Sequence, residues 1–187
     1  MEEEKIKEFV KNKLSEKRYY HSLCVVKQCE ILAHQYNIDI GVARKIGLAH
    51  DIAKELSKEE KLNYILQNNI EIDEIEREKT GLLHGKIGAD IAKKEFGFTE
   101  EMCSAISCHT TGKQNMSILD KLLFIADAIG EDRQWPDVED VRKLAINNIN
   151  DAVLYILDMT IQEKLDEKEL IHINSILARN SILKEIM

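Results

Sequence analysis

Apolar residues recur along this chain at three- and four-residue intervals, and nowhere is a strand-like alternation sustained. That period places them on one face of a helix. His21 to Tyr36 reads as one helix, with Leu23, Val26 and Leu32 turned toward a core. Asp39 can cap the next, which carries Val42, Ala43, Ile46 and Ala49 into the pair His50-Asp51, because a short side-chain oxygen accepts from the free amides at a helix start. Ser57 with Glu60 makes a capping-box pattern opening a third helix, and Asp166 with Glu169 repeats it near the tail. His84 to Phe96 ends at Gly97, a suitable C′ glycine, and Thr99 can cap the helix leading to His109. Ser117 to Ile129 is strongly apolar and stops at Gly130, while Asn147 to Leu165 and His172 to Ile186 complete the set. The charged run Asp73 to Lys79 reads as solvated surface. With one proline, Pro136, and no linker, repeat or low-complexity tract, the expectation is an all-α single domain.

Composition narrows the class of function. At 187 residues the chain is one domain long, on a scale of about 150 residues per domain. Hydrophobic residues at 44% and charged residues at 32% suit a soluble globular protein. No apolar run approaches the ~20 residues that span a bilayer, and the start Met-Glu-Glu-Glu-Lys lacks the basic flank and apolar stretch of a signal peptide. No membrane partner and a cytoplasmic location are expected. A net charge of −8 argues against a nucleic-acid partner, which needs a basic stripe. A phosphorylated small molecule stays open, since bound cations can invert the local field of an acidic protein. Cys24, Cys29, Cys103 and Cys108 fall in two pairs five residues apart, a spacing that separates thiols on a helix and points to buried free cysteines.

The chemistry lies in an ordered set: His21, His50-Asp51, His84, His109 and Asp127. Imidazoles with carboxylates supply the borderline nitrogen and hard oxygen donors of a transition-metal site. A charged carboxylate in the mostly apolar stretch Ile46 to Lys54 is costly to bury unless it is paired or bound to a cation. Lys54 follows His50 by four residues and Asp51 by three, so on a continued helix all three share one side. Arg18, three residues before His21, can reach the same cleft. Thr110, Thr111 and Gly112 either cradle a phosphate or simply stop the helix of His109; Arg133 suits bidentate phosphate recognition or belongs to a charged turn. His34 has no motif and is expected at the surface. His172, at a helix start, is a candidate substrate contact as well as an ordinary tail residue.

The order and context of these residues resemble the HD hydrolases, and within them the YqeK-like symmetrical dinucleoside tetraphosphate hydrolases of bacteria. The segments that carry the resemblance are Arg18-Tyr-Tyr-His21-Ser22, Leu48-Ala-His-Asp-Ile-Ala-Lys54, Leu83-His84-Gly85, Ala105-Ile-Ser-Cys-His109-Thr-Thr-Gly112 and Phe124-Ile-Ala-Asp127, with Arg133 and the tail Ala178-Arg179-Asn180. One departure stands out: after Asp127 the family shows an acidic-proline turn, whereas this chain reads Ala-Ile-Gly-Glu-Asp-Arg133. The resemblance implies a single HD hydrolase domain over 1–187, with a core at about 18–135 and a helical C-terminal part at 137–187.

By the same resemblance, His21, His50, Asp51 and Asp127 hold a first metal ion, and Asp51, His84 and His109 a second. His84 and His109 have the alternative of binding phosphate directly. Iron is the implied metal, though the donors alone would accept manganese or zinc, and one or two ions remain open. Asp51 and Lys54 are the implied catalytic residues. Arg18, Lys54, His84, His109, Thr110, Thr111, Asp127, Arg133, His172 and Arg179 are the implied substrate contacts. The implied reaction is hydrolysis of diadenosine tetraphosphate to two ADP by metal-activated water. An HD-type nucleotidase or alarmone hydrolase is the alternative enzyme, and a metal-dependent nucleotide sensor the alternative without turnover. The expected partner is a dinucleoside polyphosphate or ADP, and the resemblance leaves room for a homodimer.

Overall fold

The structure, a computed structural model, describes residues 2–187 and contains helices and no strand among them. The first two helices are α1 (Glu2–Lys13) and α2 (Glu16–Gln35). α2 opens at Glu16 rather than at His21, because the Ser15 side chain accepts from the Arg18 amide. α3 (Ile40–Ala49) is capped by Asp39 as its sequence predicts, α4 (Lys58–Gln67) opens on the Ser57–Glu60 capping box, and α6 (Leu83–Phe96) ends on Gly97 at φ 65°. Between those last two lie α5 (Glu74–Glu78) and a 3-10 turn at Thr80–Leu82. Thr99 caps α7 (Glu100–Cys108) and Ser117 caps α8 (Ile118–Ala128). The tail is α9 (Val138–Asn147), α10 (Ile149–Asp166) and α11 (Ile173–Ile186).

α8 is the most apolar of these helices and is buried from Leu119 to Ala126. It packs against α2, α3, α7 and α10, so three of the helices that bring histidines to the site share its core. Leu32, Ile46, Ile106, Leu122, Leu123 and Ile125 are among its fully buried side chains, and burial of each is worth roughly 1.5–3 kcal/mol. All four cysteines are buried free thiols, as expected.

Four further expectations change. The helix carrying His50-Asp51 stops at Ala49, and the chain continues in tight turns: the Ile52 amide donates to Ala49 O at 3.2 Å and the Lys54 amide to Asp51 O at 2.8 Å. Asp166 ends α10 rather than opening a helix; Lys168 turns left-handed (φ 56°), and the next helix waits until Ile173. Asp73 to Lys79 is not merely solvated surface, since Asp73 and Glu76 form a capping box and Glu76 is 5% exposed. The stretch predicted as one helix from Asn147 begins at Ile149, because Asn148 closes α9 and accepts from the Asn150 and Asp151 amides.

α6 and α7 approach most closely at Gly85. A Cβ there would lie 2.8 Å from Ser107 O and 3.1 Å from Ile106 O, both backbone atoms that cannot step aside. In a helix, Gly→Ala normally gains up to about 1 kcal/mol, whereas overpacking costs about 1–3 kcal/mol. Gly85→Ala is therefore expected to lower the urea midpoint, while Gly81→Ala, with nothing within 4 Å, leaves it unchanged. Equal midpoints for the two variants would show that the α6–α7 contact can relax.

Candidate metal centre

The side chains singled out from sequence converge from five helix ends or faces. His50 caps the C-terminus of α3, His109 that of α7, and His84 is the second residue of α6. Each donates Nδ1–H to the carbonyl three residues earlier: His50 to Gly47 O at 2.7 Å, His84 to Gly81 O at 2.5 Å, His109 to Ile106 O at 2.6 Å. The C-terminal ends of α3 and α7 leave carbonyls free for this, and Gly81 O belongs to the 3-10 turn before α6. His21, within α2, has Nδ1 2.8 Å from the Asp132 carboxylate instead, and we read its proton there, as in the other three rings. With the proton on Nδ1, Nε2 is a bare donor atom, and the Nε2 atoms of His21, His50, His84 and His109 all face Asp51 and Asp127.

Distances between them are short. His84 Nε2 lies 3.1 Å from His109 Nε2 and 3.1 Å from Asp51 Oδ1. His109 Nε2 is 3.7 Å from the same oxygen, and His50 Nε2 is 3.6 Å from Asp51 Oδ2. His21 Nε2 is 2.9 Å and His50 Nε2 4.0 Å from Asp127 Oδ1. Two ligand-like groups result, His21–His50–Asp127 and His50–Asp51–His109, with His84 against the second. His50 Nε2 and Asp51 Oδ1 are buried without a hydrogen-bond partner. Orphaned buried atoms of this kind are rare in folded proteins. Lone pairs facing one another with no proton to bridge them are what a cation resolves, so the residues fit a metal.

Protonation states agree. Burial pushes the Asp51 carboxyl upward, yet the group is held far below the usual carboxylate range, with Arg18 donating to its Oδ2 at 2.9 Å. Asp127 is likewise raised by burial and lowered by more than that, with the Arg133 guanidinium against it. Burial, only partly offset by Asp51, lowers His84 to about 4. At neutral pH the site therefore presents two carboxylates and a neutral His84, the forms that ligate.

Three cations ring these ligands. Arg18 Nη1 donates to Asp51 Oδ2 at 2.9 Å, and Arg133 donates to Asp127 Oδ1 at 2.6 Å and to its carbonyl at 2.9 Å. Despite the tight turns after Ala49, Lys54 Nζ reaches His84 Nε2 at 3.2 Å and lies 3.8 Å from Asp51 Oδ1.

The remaining predicted contacts sit elsewhere. Thr110, Thr111 and His172 line an apolar cavity of about 140 Å³ next to the histidines, bounded also by Leu82, Ile161 and Leu170. The Thr111 hydroxyl is turned to Gly112 O at 3.0 Å. Arg179 pairs with Asp158 on α10, with no contact to the cluster, and His34 is exposed. Asp132 was missed in the sequence, where its only signal was an acidic residue beside Arg133. Asp73, Glu76 and His172 form a third carboxylate–histidine group. Here Nδ1 of His172 accepts from the Asn174 amide at 3.1 Å, so the neutral ring carries its proton on Nε2, facing Asp73 Oδ2 at 2.9 Å. The Nδ1 lone pair is thereby engaged, and the ring ties α5 to α11 as an ion-pair-range contact rather than a hydrogen bond, Nε2 being buried without a hydrogen-bond partner.

A family model described as HD domain matches residues 18–132. The chain is 34% identical over 179 residues to a symmetrical bis(5'-nucleosyl)-tetraphosphatase of Halalkalibacterium halodurans, covering 95% of each. It is 37% identical over 161 residues to the protein of the same description in Staphylococcus aureus, covering 86% of this chain and 79% of that one. A crystal structure of a predicted HD superfamily hydrolase involved in NAD metabolism from Clostridium acetobutylicum superposes with a TM-score of 0.94 at 39% identity, over 97% of both chains.

The geometry makes Asp51 the group shared by most of the donor atoms. Asp51→Ala is expected to reduce metal content, measured by elemental analysis after loading and desalting, to near zero. His34→Ala, at an exposed position, is expected to retain the wild-type content. Full occupancy in the Asp51 variant would overturn the ligand assignment.

Proposed function

The chain belongs to the HD domain family, and on that footing we propose that it hydrolyses dinucleoside tetraphosphates symmetrically, diadenosine tetraphosphate giving two ADP. The observation that carries this reading is the union of a buried His/Asp cluster with three cations at its rim. Relatives of matching length bear the same activity in their descriptions. We read residues 1–187 as one HD domain, its core at about 18–135 and its helical C-terminal part at 137–187; the packing of α10 on α8 supports the unity.

We assign His21, His50, Asp51 and Asp127 to one ion and Asp51, His84 and His109 to a second. Iron is our choice of metal: an imidazole–carboxylate set without thiolate suits it, as it suits manganese. When bound, such ions polarise phosphoryl oxygens and lower the pKa of water.

The protein's own residues do the rest. Arg18, Lys54 and Arg133 keep 33%, 32% and 35% of their side chains exposed, so they neutralise Asp51 and Asp127 while remaining reachable by a polyphosphate. Lys54, beside both Asp51 and His84, is placed to offset charge on the departing phosphate; losing one such stabiliser typically costs about 10²–10³ in rate. The apolar cavity lined by Leu82, Thr110, Ile161, Leu170 and His172 takes the base. Its volume of about 140 Å³ is well below the roughly 300 Å³ of a site for a whole drug-sized ligand, so the ribose and phosphates lie outside it. We place the base there because Thr110 directly follows His109 and Leu82 stands two residues before His84, which sets the cavity beside the donor cluster. The symmetrical cut, beside the central bridging oxygen, is the one named for the relatives.

Hydrolysis of diadenosine tetraphosphate in ¹⁸O-labelled water tests this. ADP is expected as the sole initial product, with one labelled oxygen for each pair of ADP molecules. ATP plus AMP would reject the symmetrical cut and leave the metal site standing. Metal-dependent ADP binding without cleavage would favour the sensor.

A further inference from the structure

We infer that Asp132 is a positioning residue of the metal centre: its carboxylate takes the Nδ1–H of His21 and so aims Nε2 at the cation. The inference rests on the metal reading above. His50, His84 and His109 sit at helix ends, where a carbonyl three residues back orients the ring. His21 has no such recourse. It lies inside α2 (Glu16–Gln35), is 3% exposed, and the carbonyl three residues before it, Arg18 O, accepts from the Ser22 hydroxyl at 3.3 Å. Mid-helix carbonyls are already engaged by the helix itself. An acceptor for Nδ1 must come from elsewhere, and it arrives from the loop after α8, at 2.8 Å.

That loop is built to deliver it. A Cβ at residue 130 would stand 2.7 Å from Asp132 Oδ1, so glycine at that position is what lets the carboxylate lie where it does. Arg142 on α9 donates to Ile129 O at 2.9 Å, Gly130 O at 2.6 Å and Arg133 O at 3.4 Å, and the Trp135 indole donates to Ala128 O at 2.9 Å. Asp132 Oδ1 is buried and unpartnered. An acid placed only for local stability would satisfy both oxygens; this one keeps a single bond, to His21. A carboxylate on the far nitrogen fixes the ring and strengthens Nε2 as a donor, and loss of such outer partners costs about 10–100-fold in metal affinity.

The test compares Asp132→Ala, Asp132→Asn and Glu131→Ala, whose side chain pairs with Lys27 at the surface. Two quantities are read: Mn²⁺ affinity by calorimetry, and the downfield Nδ1–H proton resonance of His21 without metal, assigned by its loss in His21→Ala. Asp132→Ala is expected to lose the resonance and about 10–100-fold in affinity. Asp132→Asn, whose amide oxygen still accepts, should keep the resonance with a smaller loss, and Glu131→Ala should match wild type. Affinity within twofold of wild type, or a persisting resonance, in Asp132→Ala would overturn the inference. Wild-type protein that takes up no Mn²⁺, yet shows the resonance depending on Asp132, would overturn the metal reading and leave the ring-fixing bond supported.

Discussion

The constraint on which this structure turns is the meeting of four unprotonated imidazole nitrogens with two ionised carboxylates in a largely dry interior. Each histidine has spent its one proton on Nδ1, against a backbone carbonyl or Asp132. What remains is a set of lone pairs and negative oxygens pointed inward, and none of them can satisfy another. Without compensation such an arrangement is among the most unfavourable a core can contain. Arg18, Lys54 and Arg133 provide part of that compensation from the rim. His50 Nε2 and Asp51 Oδ1 are left without a hydrogen bond. The cluster makes physical sense as a cation site.

The helices exist in an arrangement that serves this convergence. The C-terminal ends of α3 and α7 and the N-terminal end of α6 meet in a common region, where a carbonyl three residues back orients each ring. α8 supplies Asp127 from a segment whose neighbouring residues are buried on almost every side, which holds that carboxylate against movement. The α6–α7 approach at Gly85 has a direct consequence for the site. Ile106 O, one of the atoms a Cβ at Gly85 would strike, is also the acceptor that fixes His109. Packing and ligand orientation are thus the same contact.

Much of this was legible in the chain because it is local chemistry. Asp39, Ser57, Thr99 and Ser117 cap helices where their residue types say they should, and Gly97 ends one. The ordered histidines and aspartates identify a metal-type donor set before any coordinates. Readings failed where a long-range partner decides. Nothing near Asp132 announces that it meets His21 from 111 residues away. Asp73 and Glu76 looked like solvent-facing charge until His172 arrived from the tail. Asp166 carries a cap signature, yet α10 had already run through it. The helix assumed to place Lys54 ends at Ala49, and Lys54 reaches Asp51 and His84 through tight turns instead. α9 starts at Val138 after Asp137, which is left-handed and makes no side-chain cap bond, so the residue type there does not act as it does at Asp39.

The central claim is that the buried lone pairs around Asp51 are a cation site. Anomalous scattering from crystals grown with Mn²⁺, collected where manganese absorbs, addresses it without reference to turnover. The account predicts a peak contacted by His50 Nε2 and the Asp51 carboxylate, with His21 and Asp127 on one side of it and His84 and His109 on the other. A peak confined to Asp73, Glu76 and His172, or no peak with all four inner histidines unchanged, would contradict it.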